Sequence, residues 1–183
     1  MESIYPEEIT TFAAVVLYGV PVAVAVLSYL LGCINGAIAT SHLFYHDDVR
    51  RHGSGNAGLT NFIRSYGAGR SAMVIAIDVG KAVLACLLGA LVFEPYGLRL
   101  EGMTLAGVCV MLGHDFPALQ GFRGGKGILS GGTLVLLLNW RVAAVAWALF
   151  LLLWLTTRYV SLASITATCS APITVYFVYA HNW

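Results

Sequence analysis

Six apolar runs dominate this chain, and the first of them carries no charged residue. They cover roughly 11–34, 71–93, 103–116, 128–139, 142–157 and 161–180. A membrane-spanning helix needs about 20 predominantly apolar residues, and shorter runs are tilted, buried or re-entrant. Only 10% of the residues are charged, against about 25% in an ordinary soluble domain. The expected fold class is therefore an all-α, polytopic integral membrane bundle. A net charge of +1, with no basic stripe and interleaved aromatics, excludes a nucleic-acid surface. The opening MESIYPEEIT is acidic, unlike the leading region of a signal peptide, so the first apolar segment is expected to stay as a helix. Cys33, Cys86, Cys109 and Cys169 lie far apart in apolar stretches, without the paired short spacings of a zinc site. They read as small buried apolar residues. No metal and no cofactor is expected.

Orientation follows from where lysine and arginine fall. With the N-terminus outside, Arg50, Arg51, Arg64, Arg70, Lys81, Arg123, Lys126 and Arg158 are inside, and Arg99 and Arg141 are outside. The polar stretches at 42–70, 121–127 and 158–161 then face the cytoplasm. The turns at 94–101 and 139–141 face out and are chemically plain. No repeat or linker is visible, so the chain reads as one domain.

Two of the inner stretches are rich in glycine. Gly53, Ser54, Gly55, Asn56, Ala57, Gly58, Leu59, Thr60 and Asn61 place three glycines among small hydrogen-bonding side chains. Glycine lets backbone N–H groups approach a ligand closely, and successive N–H groups can form an anion-binding nest. Arg64 follows Asn61 by three residues, so on a short interfacial helix over 57–66 both share a face. The second stretch is Gly121, Phe122, Arg123, Gly124, Gly125, Lys126 and Gly127. It fails the nucleotide-binding P-loop pattern: three residues, not four, separate Gly121 from the Gly125–Lys126 pair, and Gly127 stands in place of Ser or Thr. What remains is a phosphate cradle of backbone donors beside Lys126 and Arg123. His114, just upstream, reads as a brace for this loop or as a ligand contact.

Asp78 and Lys81 sit three residues apart inside an apolar run, so they share a helix face and can pair. Ionisable groups at membrane depth flag function; because this pair cancels its own charge, a supporting role behind the site is expected. Ser161 and Ser164 have the same spacing just after Arg158, and cap, pack or touch ligand. His42 and Asp47 have the His-x-x-x-x-Asp spacing of common glycerolipid acyltransferases, but without its polar context, and read as a chance interfacial pair. No nucleophile elbow or cysteine–histidine pair is present.

Together these residues resemble the bacterial acyl-phosphate:glycerol-3-phosphate acyltransferase family, the PlsY type. The resemblance runs through Tyr29 to Gly32, Gly53 to Asn61, Asp78 to Lys81, Gly113 to Pro117 with Phe122 to Gly127, and Arg158 to Ile165. It implies a seven-helix bundle in the bacterial inner membrane, with a site on the cytoplasmic side. The implied substrates are acyl phosphate and glycerol-3-phosphate, the products lysophosphatidic acid and phosphate, in phospholipid synthesis. By this resemblance Ser54, Gly55, Asn56, Thr60 and Asn61 line a phosphate pocket with Gly58 and Arg64. Lys126 with Gly124, Gly125 and Gly127 holds glycerol-3-phosphate, and Ser161 completes the site. Ser54, Asn56, Thr60 and Lys126 are the expected catalytic set; His114 is counted with the substrate-binding residues, and Asp78 and Lys81 stand behind them. Cys33, Asn35, Leu59 and Ala82 depart from the family's usual residues in ways expected to retune packing. One apolar run follows Ser161 before the chain stops at His181-Asn182-Trp183, so residues 1–183 are expected to form one domain lacking the last family helix. A phosphate-ester transporter and an inactive relative are the alternatives; a transporter should place its polar groups near the bilayer midplane and show paired repeats.

Overall fold

A computed structural model describes residues 15–179. The acidic N-terminal stretch and the His181, Asn182 and Trp183 ending lie outside the described residues. A π-turn at Val15–Gly19 leads into α1, Val20–Gly32, which is followed by α2, Gly36–Tyr45, and α3, Leu59–Tyr66. Then come α4, Ser71–Phe93; α5, Arg99–Asp115; α6, Ile128–Leu138; α7, Trp140–Thr157; and α8, Val160–Tyr179. Four of these, α4, α5, α7 and α8, are long and apolar enough to cross a membrane, and α1 with α2 makes a fifth candidate as a pair bent by 41°. At 1.5 Å per residue, the 11 residues of α6 extend about 16 Å, roughly half the hydrocarbon thickness.

The first apolar run is therefore not one helix to residue 34. It breaks after Gly32, and Asn35 starts a new helix by accepting the Ile38 N–H on its Oδ1 at 3.0 Å. Irregular backbone at membrane depth needs its freed polar groups satisfied from elsewhere in the protein. Lys81 supplies two of those bonds, donating to the Gly32 carbonyl at 3.2 Å and the Ile34 carbonyl at 2.9 Å. Asp78 supplies a third, accepting the Gly36 N–H on Oδ1 at 3.1 Å. The intramembrane ion pair, with Lys81 Nζ 3.0 Å from Asp78 Oδ1, thus stitches a broken span. The third apolar run also differs: its helix begins at Arg99, because Arg99 and Glu101 interrupt the hydropathy but not the helix.

Small residues bring the helices together. α1 crosses α5 with Gly32 against Gly113, and a Cβ on Gly113 would strike the Tyr29 carbonyl. α4 crosses α5 with Gly89 against Gly102, where a Cβ on either would strike the other's carbonyl. Lipid removes the hydrophobic drive for helix association, so close van der Waals approach through such residues replaces it. α7 and α8 pack chiefly on each other, and α6 bridges them to α4 and α5.

Candidate active site

Two glycine-rich loops meet at one end of this bundle. In the first, Asn61 is buried and its amide ties the loop together. Its Oδ1 accepts the Ser54 N–H at 2.9 Å, and its Nδ2 donates to the carbonyls of Val49, His52 and Asn56 at 3.0–3.1 Å. Gly53 has φ +54°, and a Cβ there would collide with Asn61 Oδ1. Asn61, expected as a pocket residue, is thus turned inward with its hydrogen-bonding capacity used. Ser54, Gly55, Thr60 and Arg64 are exposed and Asn56 half-buried. The Ser54 and Thr60 hydroxyls and the Arg64 guanidinium make no hydrogen bond among the described residues.

The second loop wraps over His114. Gly124 and Gly125 donate their N–H groups to the carbonyls of Asp115 and His114 at 3.2 and 3.1 Å. A Cβ on Gly125 would strike His114 Nε2 and stand 2.7 Å from the Ala57 carbonyl of the first loop. These glycines allow two loops and a helix end to touch. The expected nest is not built from their donors, which point inward, as do those of Ser54, Gly55 and Gly58. The donors left over lie one step further on. Gly58 leads into α3 and Gly127 into α6, and neither helix has a side-chain N-cap. The first intrahelical bonds come from Phe62 to Gly58 and Gly131 to Gly127, so each start presents N–H groups without helical partners, at the positive end of a helix dipole.

His114 lies against the second loop. It is buried, with Nδ1 2.6 Å from Lys81 Nζ and 3.5 Å from Asp78 Oδ1. Its Nε2 faces the second loop. Lys126 is exposed and donates to Ser161 Oγ at 3.0 Å, joining the second loop to the start of α8. Ser164 turns back to the Ser161 carbonyl at 3.0 Å.

Sequence reasoning missed three supporting residues. Arg50 staples the loops, donating through Nη1 to the carbonyls of Gln120 at 2.8 Å and Arg123 at 3.1 Å, while Asp48 holds its other side at 2.7 Å. Asp48 is in turn held below the ordinary carboxylate range, first by that side-chain bond. Tyr29 donates to the Phe116 carbonyl at 2.8 Å and accepts the Ala118 N–H at 3.1 Å, fixing the turn before the second loop. The third, Asp115, lines the cleft described next. His42 and Asp47 form no pair. Asp47 instead bonds His52 at 2.6 Å and accepts the Tyr66 hydroxyl at 3.0 Å. The Asp48 N–H, above all, holds the Asp47 carboxyl below its usual range, while burial and then Asp47 push Tyr66 up to about 12.

Beside Lys126 an apolar cleft of about 550 Å³ opens between α5, α6, α7 and α8. Met111, Trp147, Phe150 and Ile165 line its body, and Asp115, Lys126 and Gly127 its polar end. The arrangement can hold a phosphate ester at one end and an alkyl chain in the other.

A family model described as glycerol-3-phosphate acyltransferase matches residues 22–182. The chain belongs to the glycerol-3-phosphate acyltransferase family. The family member from Thermoanaerobacter sp. strain X514 is 39% identical over 147 residues, covering 80% of this chain and 72% of the relative. The member from Neisseria meningitidis serogroup A is 34% identical over 166 residues, covering 91% and 82%. Among solved structures, the glycerol 3-phosphate form of PlsY (YgiH), an integral membrane glycerol 3-phosphate acyltransferase, superposes with a TM-score of 0.75 at 34% identity. It covers 86% of this chain and 76% of its own. The lysophosphatidic acid form gives 0.73 at 33% identity. With these relatives and its apolar helices, the chain is a multi-pass membrane protein of this family.

Proposed function

We propose that this chain, acting as a single membrane-embedded domain, transfers an acyl group from acyl phosphate to the 1-hydroxyl of glycerol-3-phosphate, making lysophosphatidic acid and phosphate. One observation carries the assignment of roles: Lys126 and an uncapped helix start stand at the polar end of an apolar cleft. A phosphate ester binds at the polar end, and the donor's acyl chain lies along Met111, Trp147, Phe150 and Ile165. Lys126, held by Ser161, takes the phosphate of glycerol-3-phosphate. Ser54, Asn56, Thr60 and Arg64, with the free N–H groups opening α3, hold the phosphate of the donor. The excess of lysine and arginine on this side supports a site that faces the cytoplasm of a bacterial cell.

Acyl phosphate is already activated, so catalysis consists of orienting the alcohol and stabilising charge. The alcohol oxygen bonds to the acyl carbon, the bond from that carbon to the phosphate oxygen breaks, and the hydroxyl proton passes to the departing phosphate. His114 is not required as a base, because the departing phosphate takes that proton. The test uses the purified chain in detergent with radiolabelled glycerol-3-phosphate and either palmitoyl phosphate or palmitoyl-coenzyme A. Labelled lysophosphatidic acid from the phosphate donor alone is expected; product from the thioester alone would remove the donor assignment. The structure offers no observation that favours a transporter.

A further inference from the structure

The second loop divides its two cations between two cavities. Lys126 lines the apolar cleft, whereas Arg123 lines a separate polar recess of about 490 Å³. Asp48, Arg50, Arg51, Gln120 and Gly121 complete that recess, so the approaches to both glycine-rich loops meet there. Its walls are tied together. Arg50 donates to the carbonyls of Gln120 and Arg123, and through Nε and Nη2 to both oxygens of Asp48 at 2.7–3.1 Å. Gly121 turns the chain at φ +67°, and open space stands where its Cβ would be. Arg50 and Asp48 neutralise each other. Arg51 and Arg123 are exposed, and among the described residues no carboxylate pairs with either. The recess thus carries two uncompensated positive charges on groups that a ligand can reach. The bias of lysine and arginine to one side accounts for the side these arginines take, not for their meeting in one walled recess.

We propose that this recess is a second phosphate-binding site, outside the cleft, which captures soluble glycerol-3-phosphate before it reaches Lys126. This rests on the acyltransferase reading above and extends it to how the acceptor is gathered. A phosphate monoester carries a charge of about −1.5 to −2 at neutral pH, which the two arginines match. Guanidinium forks fit phosphate oxygens in pairs. A recess of one sign of charge focuses its field and raises the local concentration of the opposite ion, speeding capture by about 10- to 1,000-fold. Arg123 precedes Lys126 by three residues, and Arg51 precedes Ser54 by three, each at most about 11 Å of chain. A captured ester is therefore a short step from the groups that hold phosphate in the cleft.

The test measures kcat and KM for glycerol-3-phosphate with palmitoyl phosphate, in neutral detergent and phosphate-free buffer, over ionic strengths of about 0.02 to 0.2 M. Arg51→Gln combined with Arg123→Gln should raise KM by about 10-fold or more at low ionic strength, hold kcat, and flatten the salt dependence. Both residues are exposed, so the fold should hold, which a melting temperature checks. Arg99→Gln combined with Arg141→Gln removes the same charge from the turns read as facing out, and should change neither KM nor slope. An unchanged KM and slope in the folded recess variant overturns the proposal, as does an equal effect from the outer pair. A second arm repeats the comparison in nanodiscs of phosphatidylcholine with and without phosphatidylglycerol. The difference between parent and recess variant should persist in both; a difference seen only with phosphatidylglycerol gives the recess to a lipid headgroup and overturns the proposal. Silence of the parent removes the acyltransferase reading, and the recess is then read by binding alone. Equilibrium dialysis of radiolabelled glycerol-3-phosphate against Lys126→Ala should show salt-sensitive binding that Arg51→Gln with Arg123→Gln abolishes. Absence of such binding overturns the recess as well.

Discussion

The two halves of this molecule hold their helices by different means. In the first half, α1, α4 and α5 approach so closely at Gly32–Gly113 and Gly89–Gly102 that no side chain fits between the backbones. The spans built on α4 and α5 are 44% and 39% buried, whereas those of α7 and α8 are 11% buried each. The first half also has its polar centre closed by Asp78, Lys81 and His114. The second half supplies most of the apolar wall of the cleft, together with Ser161. A closely packed half thus carries the loops, and a more exposed half shapes most of the cleft. Perturbation of the first should cost folding, and perturbation of the second should change substrate acceptance.

The largest effect is expected at Lys81. Lys81→Met leaves the Asp78 carboxylate buried and the Gly32 and Ile34 carbonyls unpaired. Breaking one side of a buried pair costs about 3–5 kcal/mol, so the protein should fail to assemble or melt far below the parent in detergent. A melting point within a few degrees of the parent would mean that the break is not held by this pair. Gly113→Val comes next, at about 1–3 kcal/mol or more, because its side chain meets the Tyr29 carbonyl. Trp147→Ala, in the second half, should cost less than the about 3–5 kcal/mol of a full core truncation. Its signature should instead be a changed ratio of rates with long and short acyl phosphates. If it unfolds the protein as readily as Gly113→Val, the contrast between the halves is lost.

The smallest effect is electrostatic and belongs to the loop region. The Tyr66 phenol rises from 10.0 to about 12 because burial and then Asp47 disfavour its anion. The folded state therefore prefers the protonated phenol. Its contribution is whole below pH of about 10, where the unfolded phenol titrates, and fades as pH climbs through about 12. Tyr66→Phe should flatten the stability profile over that alkaline window and leave the neutral range nearly unchanged. An identical alkaline limb in the variant would assign it elsewhere.

The all-helical membrane class was legible because apolar runs of this length have few other uses, and the Asp78–Lys81 pairing because i, i+3 spacing fixes it locally. The break after Gly32 was signalled by Asn35 ahead of a helix, a capping pattern that continuous hydropathy masks. His114 joining Lys81 was not legible, since 33 positions separate them and only the crossing of α4 and α5 brings them together. Residue type announced Asn61 as a hydrogen-bonding group but not its direction; burial beneath the loop turned it inward. Glycines 124 and 125 were read as donors to a ligand, and their decisive property is the absence of a side chain where loop meets His114.

The central claim is that Lys126 holds the phosphate of the acyl acceptor at the head of the cleft. The most direct measurement is the rate of lysophosphatidic acid formation by Lys126→Ala over a range of glycerol-3-phosphate concentrations, alongside its melting temperature. Lys126 is exposed, so the fold should be unaffected. Loss of a charge-assisted contact predicts kcat/KM lower by about 10- to 100-fold or more at an unchanged melting temperature. A folded Lys126→Ala enzyme with the parent's kcat/KM would contradict the account.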